Sequence, residues 1–109
     1  MIKSRIFLLI GFVFLNLHAQ NHWQVPPEAR QLQNPLNDVE AVWQKGQKIF
    51  NSLCASCHGQ DGTGNPLILK TLNPPPADLT SQTVQQQTDG EIFWKITEGR
   101  GLMASYKNI

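Results

Sequence analysis

Cys54-Ala55-Ser56-Cys57-His58 is the stretch on which the reading of this 109-residue chain turns. Its spacing, C-x-x-C-H, is the spacing of c-type haem attachment. The chemistry sets that spacing. Two thiols must reach the two vinyl groups along one edge of a porphyrin, and one helical turn between them puts both sulfurs on the same side of the ring. A histidine directly after the second thiol is then held under the iron as its proximal ligand. The chain has no other cysteine.

Two other chemistries use such a pair. A thioredoxin-like redox motif expects a βαβ setting, and no strand-like alternation precedes Cys54. A structural zinc site takes four ligands, whereas Cys54, Cys57 and His58 supply three. Once a leader is removed, His22 is the only other histidine. Haem is the reading these residues support.

Working outward from the motif, the upstream side is helical. Asn37 has the side chain of an N-cap, and Glu40 three residues later can close a capping box. Val39, Val42, Trp43, Ile49, Phe50 and Leu53 recur at the spacing of one helical face. A helix is therefore expected to run from Asn37 into the cysteines. Gly46 interrupts that face at a cost of about 1 kcal/mol relative to Ala, tolerable where another backbone must approach closely. Residues 20–36 are rich in Pro, Gln and Asn and lack periodicity. They read as an extended lead-in carrying Trp23 and Pro26-Pro27.

Downstream, Asp61-Gly62-Thr63-Gly64 is a turn cluster. Residues 67–72 suit a short helical turn, which Pro74-Pro75-Pro76 ends. Residues 78–87 are polar and loop-like. Thr88-Asp89-Gly90-Glu91 starts a further helix with Ile92, Phe93 and Ile96 on one face, and Gly99-Arg100-Gly101 stops it. The fold class is all-α, built of short helices and long loops.

A haem iron in this setting commonly takes Met opposite His. Met1 belongs to the leader, which leaves Met103, in the glycine-bracketed stretch Gly99-Arg100-Gly101-Leu102-Met103. The other readings are His22 as sixth ligand, an open sixth site, and Met103 as plain apolar filling.

Residues 1–19 read as a secretory signal peptide. Lys3 and Arg5 form its positive end, residues 6–17 are its apolar stretch, and Ala19 is the small residue at the cut. The apolar run is short for a membrane span, which needs about 20 residues. Cleavage would leave seven Lys and Arg against eight Asp and Glu, a near-neutral chain with no basic stripe for nucleic acid.

The residues Gly46, Phe50, Cys54, Cys57, His58-Gly59 and Met103 resemble the class I cytochromes c. Leu72-Asn73-Pro74-Pro75-Pro76-Ala77-Asp78-Leu79-Thr80 and Asp89-Gly90-Glu91-Ile92-Phe93-Trp94-Lys95-Ile96-Thr97-Glu98-Gly99-Arg100-Gly101 are similar to bacterial monohaem domains of respiratory complexes, among them the monohaem subunit of alternative complex III. The likeness covers Asn37 to the end. It implies a cytochrome c-like domain over 37–109, short helices and loops around one covalent haem c. The family's final helix would begin where this sequence stops, so the domain is expected to be incomplete at its C-terminus, with Gly46 and Phe50 left without their packing partner.

The resemblance also assigns roles. Cys54 and Cys57 bind haem, and His58 and Met103 ligate iron. Pro66 matches the proline whose carbonyl orients the proximal histidine, and Trp94 matches an aromatic near the haem edge, with core packing as its other role. Ala104 stands where the family has proline after its methionine. The implied function is single-electron transfer, not enzymatic turnover, in a bacterial respiratory chain. The location is periplasmic, with a membrane respiratory complex or small redox protein as partner. Membrane association would come only through a partner or an uncleaved signal. The alternative is a haem protein with an open sixth site, a small-ligand sensor or peroxidase-like enzyme.

Overall fold

The computed structural model describes residues 23–36 and 39–109. The expected signal peptide over residues 1–19, His22 and the expected cap at Asn37 lie outside the described residues. Six helices follow in order: α1 (Pro27–Arg30), α2 (Glu40–Leu53), α3 (Ala55–His58), α4 (Pro66–Thr71), α5 (Gln82–Gln85) and α6 (Asp89–Glu98). No strand occurs among the described residues. The nearest approach to one is an isolated antiparallel bridge between Arg100 and Met103. The all-α class therefore holds.

α2 starts later than its sequence pattern suggests. Val39 occupies the cap position with extended backbone and makes no side-chain cap bond. The Glu40 carboxylate accepts from Gln44 Nε2 at 3.0 Å, an i,i+4 pair along the helix. At its far end α2 turns over Cys54 directly into α3, the Cys54 N–H donating to the Phe50 carbonyl at 2.8 Å.

α6 follows its expected capping closely. Thr88 accepts from the Glu91 N–H at 3.2 Å, and Glu91 Oε2 accepts from the Thr88 N–H at 2.8 Å, completing a capping box. Gly99 ends the helix with φ +66°.

The lead-in departs from the extended form expected of it. Pro27 sits in the first turn of α1, where a proline costs no hydrogen bond, and α1 packs on the start of α6. Gly90 is the seat: a Cβ there would meet the Ala29 carbonyl oxygen. Around that contact, Thr88 Oγ1 donates to the Arg30 carbonyl at 3.1 Å, Asn34 Nδ2 to Asp89 at 3.0 Å, and Arg30 pairs with Glu91 at 3.4 Å. Val25 and Ala29, both in the lead-in, are the buried hydrophobic residues of the described chain. Beyond α1, Leu32 and Leu36 line a cleft of ≈ 580 Å³ whose other wall is the apolar face of α6, Ile92, Phe93 and Ile96.

The face of α2 is open. Nothing lies within 4 Å of a Cβ built on Gly46, and Trp43, Ile49 and Leu53 are exposed. The close backbone approach that would suit Gly46 is therefore not made among the described residues. None of the described helices is long and apolar enough to cross a membrane.

Candidate functional site

α3 is a single turn whose residues are those of the motif, Ala55-Ser56-Cys57-His58, with Cys54 as its cap. Cys57 and His58 both donate their N–H groups to the Cys54 carbonyl, at 3.2 and 3.0 Å. This turn keeps the two thiols on neighbouring positions of one helical surface. Both are half-buried. Burial pushes the Cys54 thiol above the ordinary cysteine range.

The loop after the motif folds back onto it. Gly64 N–H donates to the His58 carbonyl at 2.7 Å and Asn65 N–H to the Cys57 carbonyl at 2.9 Å. Asn65 Nδ2 reaches the Ser56 carbonyl at 2.9 Å, while its Oδ1 accepts from Leu67 N–H at 3.0 Å and caps α4. Asn65 therefore ties the motif to the next helix with both ends of its amide.

A third segment completes the frame. Leu79 N–H donates to the Gly62 carbonyl at 2.8 Å, and His58 Nδ1 lies 3.1 Å from the Ala77 carbonyl. A carbonyl only accepts, so Nδ1 is the protonated nitrogen and the neutral ring keeps its lone pair on Nε2. That arrangement suits a metal-ligating histidine. The orienting carbonyl is thus Ala77, not Pro66. Pro66 is the first residue of α4, where a carbonyl points along the helix toward residue i+4.

Two aspartates stiffen this frame. Asp61 Oδ1 accepts from Thr63 N–H and Oγ1 at 3.0 and 2.8 Å, and Asp78 Oδ1 accepts from the same groups of Thr80 at 2.8 and 2.6 Å. These hydrogen bonds hold both carboxyls below the ordinary Asp range. The Thr63 backbone is the leading cause for Asp61 and the Thr80 hydroxyl for Asp78.

Met103 is half-buried in a tight hairpin. Arg100 and Met103 exchange both main-chain hydrogen bonds at 3.0 Å across Gly101 and Leu102. The hairpin is packed against Gly99, where a Cβ would fall 2.6 Å from both the Met103 carbonyl oxygen and the Ser105 nitrogen. Its outgoing limb is pinned on α6 by Ser105 Oγ to the Thr97 carbonyl, 2.7 Å, and by Tyr106 N–H to the Ile96 carbonyl, 3.2 Å. Tyr106 Oη then donates to the Leu53 carbonyl at 3.2 Å, one residue before Cys54.

Trp94 is half-buried and meets Trp23 edge to face, ring centroids 6.4 Å apart. The Arg100 guanidinium carbon lies 4.6 Å from the Trp23 ring centroid and Lys95 Nζ 5.7 Å from it. Lys95 also donates to Gln87 at 2.6 Å. Burial lowers its pKa; Glu91 opposes that shift, and Arg100 and Arg30 add to it. Sequence reading missed this cluster, since only the Trp23 and Trp94 side chains themselves signalled it.

The residues fit a covalent haem. The donors are two neighbouring thiols and an imidazole whose Nδ1 is already engaged. Leu53 beside Cys54, Leu69 against the Gly64 backbone and Leu102 beside Met103 keep 41%, 38% and 75% of their surface exposed, apolar surface of the kind a porphyrin covers. Among the described residues no three His, Cys, Asp or Glu side chains gather as a metal cluster.

A family model described as cytochrome C oxidase, cbb3-type, subunit III matches residues 41–108. No curated protein and no solved structure gives a significant match.

Proposed function

The chain belongs to the cytochrome c family that this model describes, with its covalent haem c and its electron-carrying function, and on that premise we propose that Cys54 and Cys57 bind the haem while His58 and Met103 ligate its iron. When bound, the haem supplies an iron that alternates between ferrous and ferric states, one electron at a time. The observation that carries the assignment is the His58 Nδ1 contact with Ala77, which leaves Nε2 for iron at the end of the two-thiol turn.

Cys54 and Cys57 would each hold the haem through a thioether to one vinyl group, the thiol hydrogen passing to the other vinyl carbon with no oxidant needed. His58 binds through Nε2 and is held in that tautomer by the Ala77 carbonyl. Met103 brings a thioether on its hairpin, a ligand that favours the reduced state and raises the potential.

The chain works in the periplasm of a bacterial respiratory chain, a reading supported by residues 1–19 and by the need to attach haem outside the cytoplasm. Its partner is a membrane respiratory complex. The oxidase description of the matched family supports such a partner, and the stretches 72–80 and 89–101 support one resembling alternative complex III. A near-neutral mature charge favours transient docking without strong electrostatic steering.

The test is expression with a cytochrome c maturation system. The wild type is expected to retain one haem after denaturation and Cys54→Ala/Cys57→Ala none. Met103→Ala is expected to keep covalent haem but lose the methionine–iron(III) charge-transfer band. Wild-type protein that lacks the band and binds carbon monoxide when reduced would replace the carrier by the open-site alternative.

A further inference from the structure

The Met103 hairpin has two limbs, and the structure secures them differently. The outgoing limb lies on α6 through Ser105 and Tyr106. The incoming limb is Arg100, whose main chain is bonded twice to Met103 and whose guanidinium lies over the Trp23 ring at 4.6 Å. Trp23 comes from the far end of the chain. It is half-buried, braced by the edge of Trp94, and held at that spot by the buried Val25 and Ala29 and by the docking of α1 on Gly90.

We propose that Trp23 is a positioning residue for Met103: its ring seats the Arg100 guanidinium and so fixes the hairpin that presents the thioether. This rests on Met103 as axial ligand. A guanidinium lying over an indole face is attracted by the ring's negative quadrupole, and the attraction reaches Met103 through two main-chain bonds rather than through its side chain. The lead-in, outside the span 41–108 that the family model covers, thereby becomes part of the ligand machinery. With Trp23 gone, the hairpin keeps its outgoing limb and loses one contact of its incoming limb, so the thioether would be held less firmly in place.

The test uses the holoprotein and imidazole as a competitor for the sixth position. Trp23→Ala and Arg100→Gln are each expected to bind imidazole about threefold to tenfold more tightly, as the loss of one cation–π contact implies, and to speed amide exchange at Met103. Trp23→Phe should fall between them and the wild type. The double variant should exceed neither single one, because both remove the same contact. If Trp23→Ala fails to accumulate, Arg100→Gln decides. Unchanged imidazole affinity in both variants overturns the proposal, even with a lowered unfolding midpoint, provided Met103→Ala abolishes the methionine–iron band. If Met103→Ala leaves that band unchanged, the ligand assignment fails and the proposal falls with it.

Discussion

At His58 the hydrogen-bond acceptor is a main-chain carbonyl, so changing the Ala77 side chain leaves it in place, and what matters is where residues 77–80 sit. Asp61 and Asp78 hold that position, each folding its own loop over a threonine two residues on. Both carboxyls sit below the ordinary value of 3.8, so the unfolded chain binds these protons more readily. Their stabilising contribution is complete above about pH 4 and is lost as pH falls through the depressed folded-state values. Carboxyl carbon shifts followed by NMR are expected to titrate below 3.8 for both residues. Asp61→Asn/Asp78→Asn keeps an acceptor in each loop and should remove this part of the acid sensitivity; midpoints at the ordinary value would contradict the account. The proposed donors, Cys54, Cys57 and His58, can be read from sequence because their chemistry resides in side chains at a fixed spacing. Ala77 is not legible, since every residue carries a carbonyl and only the path of the chain selects one.

At the scale of elements, α6 reads plainly from sequence because Thr88, Glu91 and Gly99 punctuate it locally. α1 does not: four residues show no period, and Pro26-Pro27 reads equally well as extended chain. Its reality rests on Gly90. Gly90→Ala puts a methyl group into the Ala29 carbonyl and is expected to cost about 1–3 kcal/mol through overpacking. Gly46→Ala, in open space on α2, is expected to stabilise by about 0.5–1 kcal/mol through helix propensity. Denaturant unfolding of the two holoproteins should therefore shift in opposite directions; matching shifts would mean that α1 does not dock on α6. The pairing of Trp23 with Arg100 escaped sequence reading for a related reason. The two lie at opposite ends of the chain, and no local pattern links an indole to a guanidinium.

For the molecule as a whole, the described chain buries Val25 and Ala29 while Trp43, Phe93 and Leu102 remain 63–75% exposed. Small domains need a staple beyond their own apolar side chains, and a covalent haem contributes one. Cys54→Ala/Cys57→Ala is therefore expected to unfold with little cooperativity and to bind a hydrophobic dye, whereas the haem-loaded protein melts in one sharp transition. A haem-free variant that melts as sharply as the loaded protein would show that the chain has sufficient core of its own.

The Tyr106 hydroxyl, resting on the Leu53 carbonyl at 3.2 Å, has a consequence for the speed of electron exchange. It ties together two points 53 residues apart, turning the intervening chain into a ring with His58 just inside one end and Met103 just inside the other. The clasp opposes the entropy that favours opening so long a loop. With it, on the proposed ligation, both ligands move as parts of one closed contour. A ligand frame closed in this way would resist rearrangement when the haem gains or loses an electron, which would keep the reorganisation energy small.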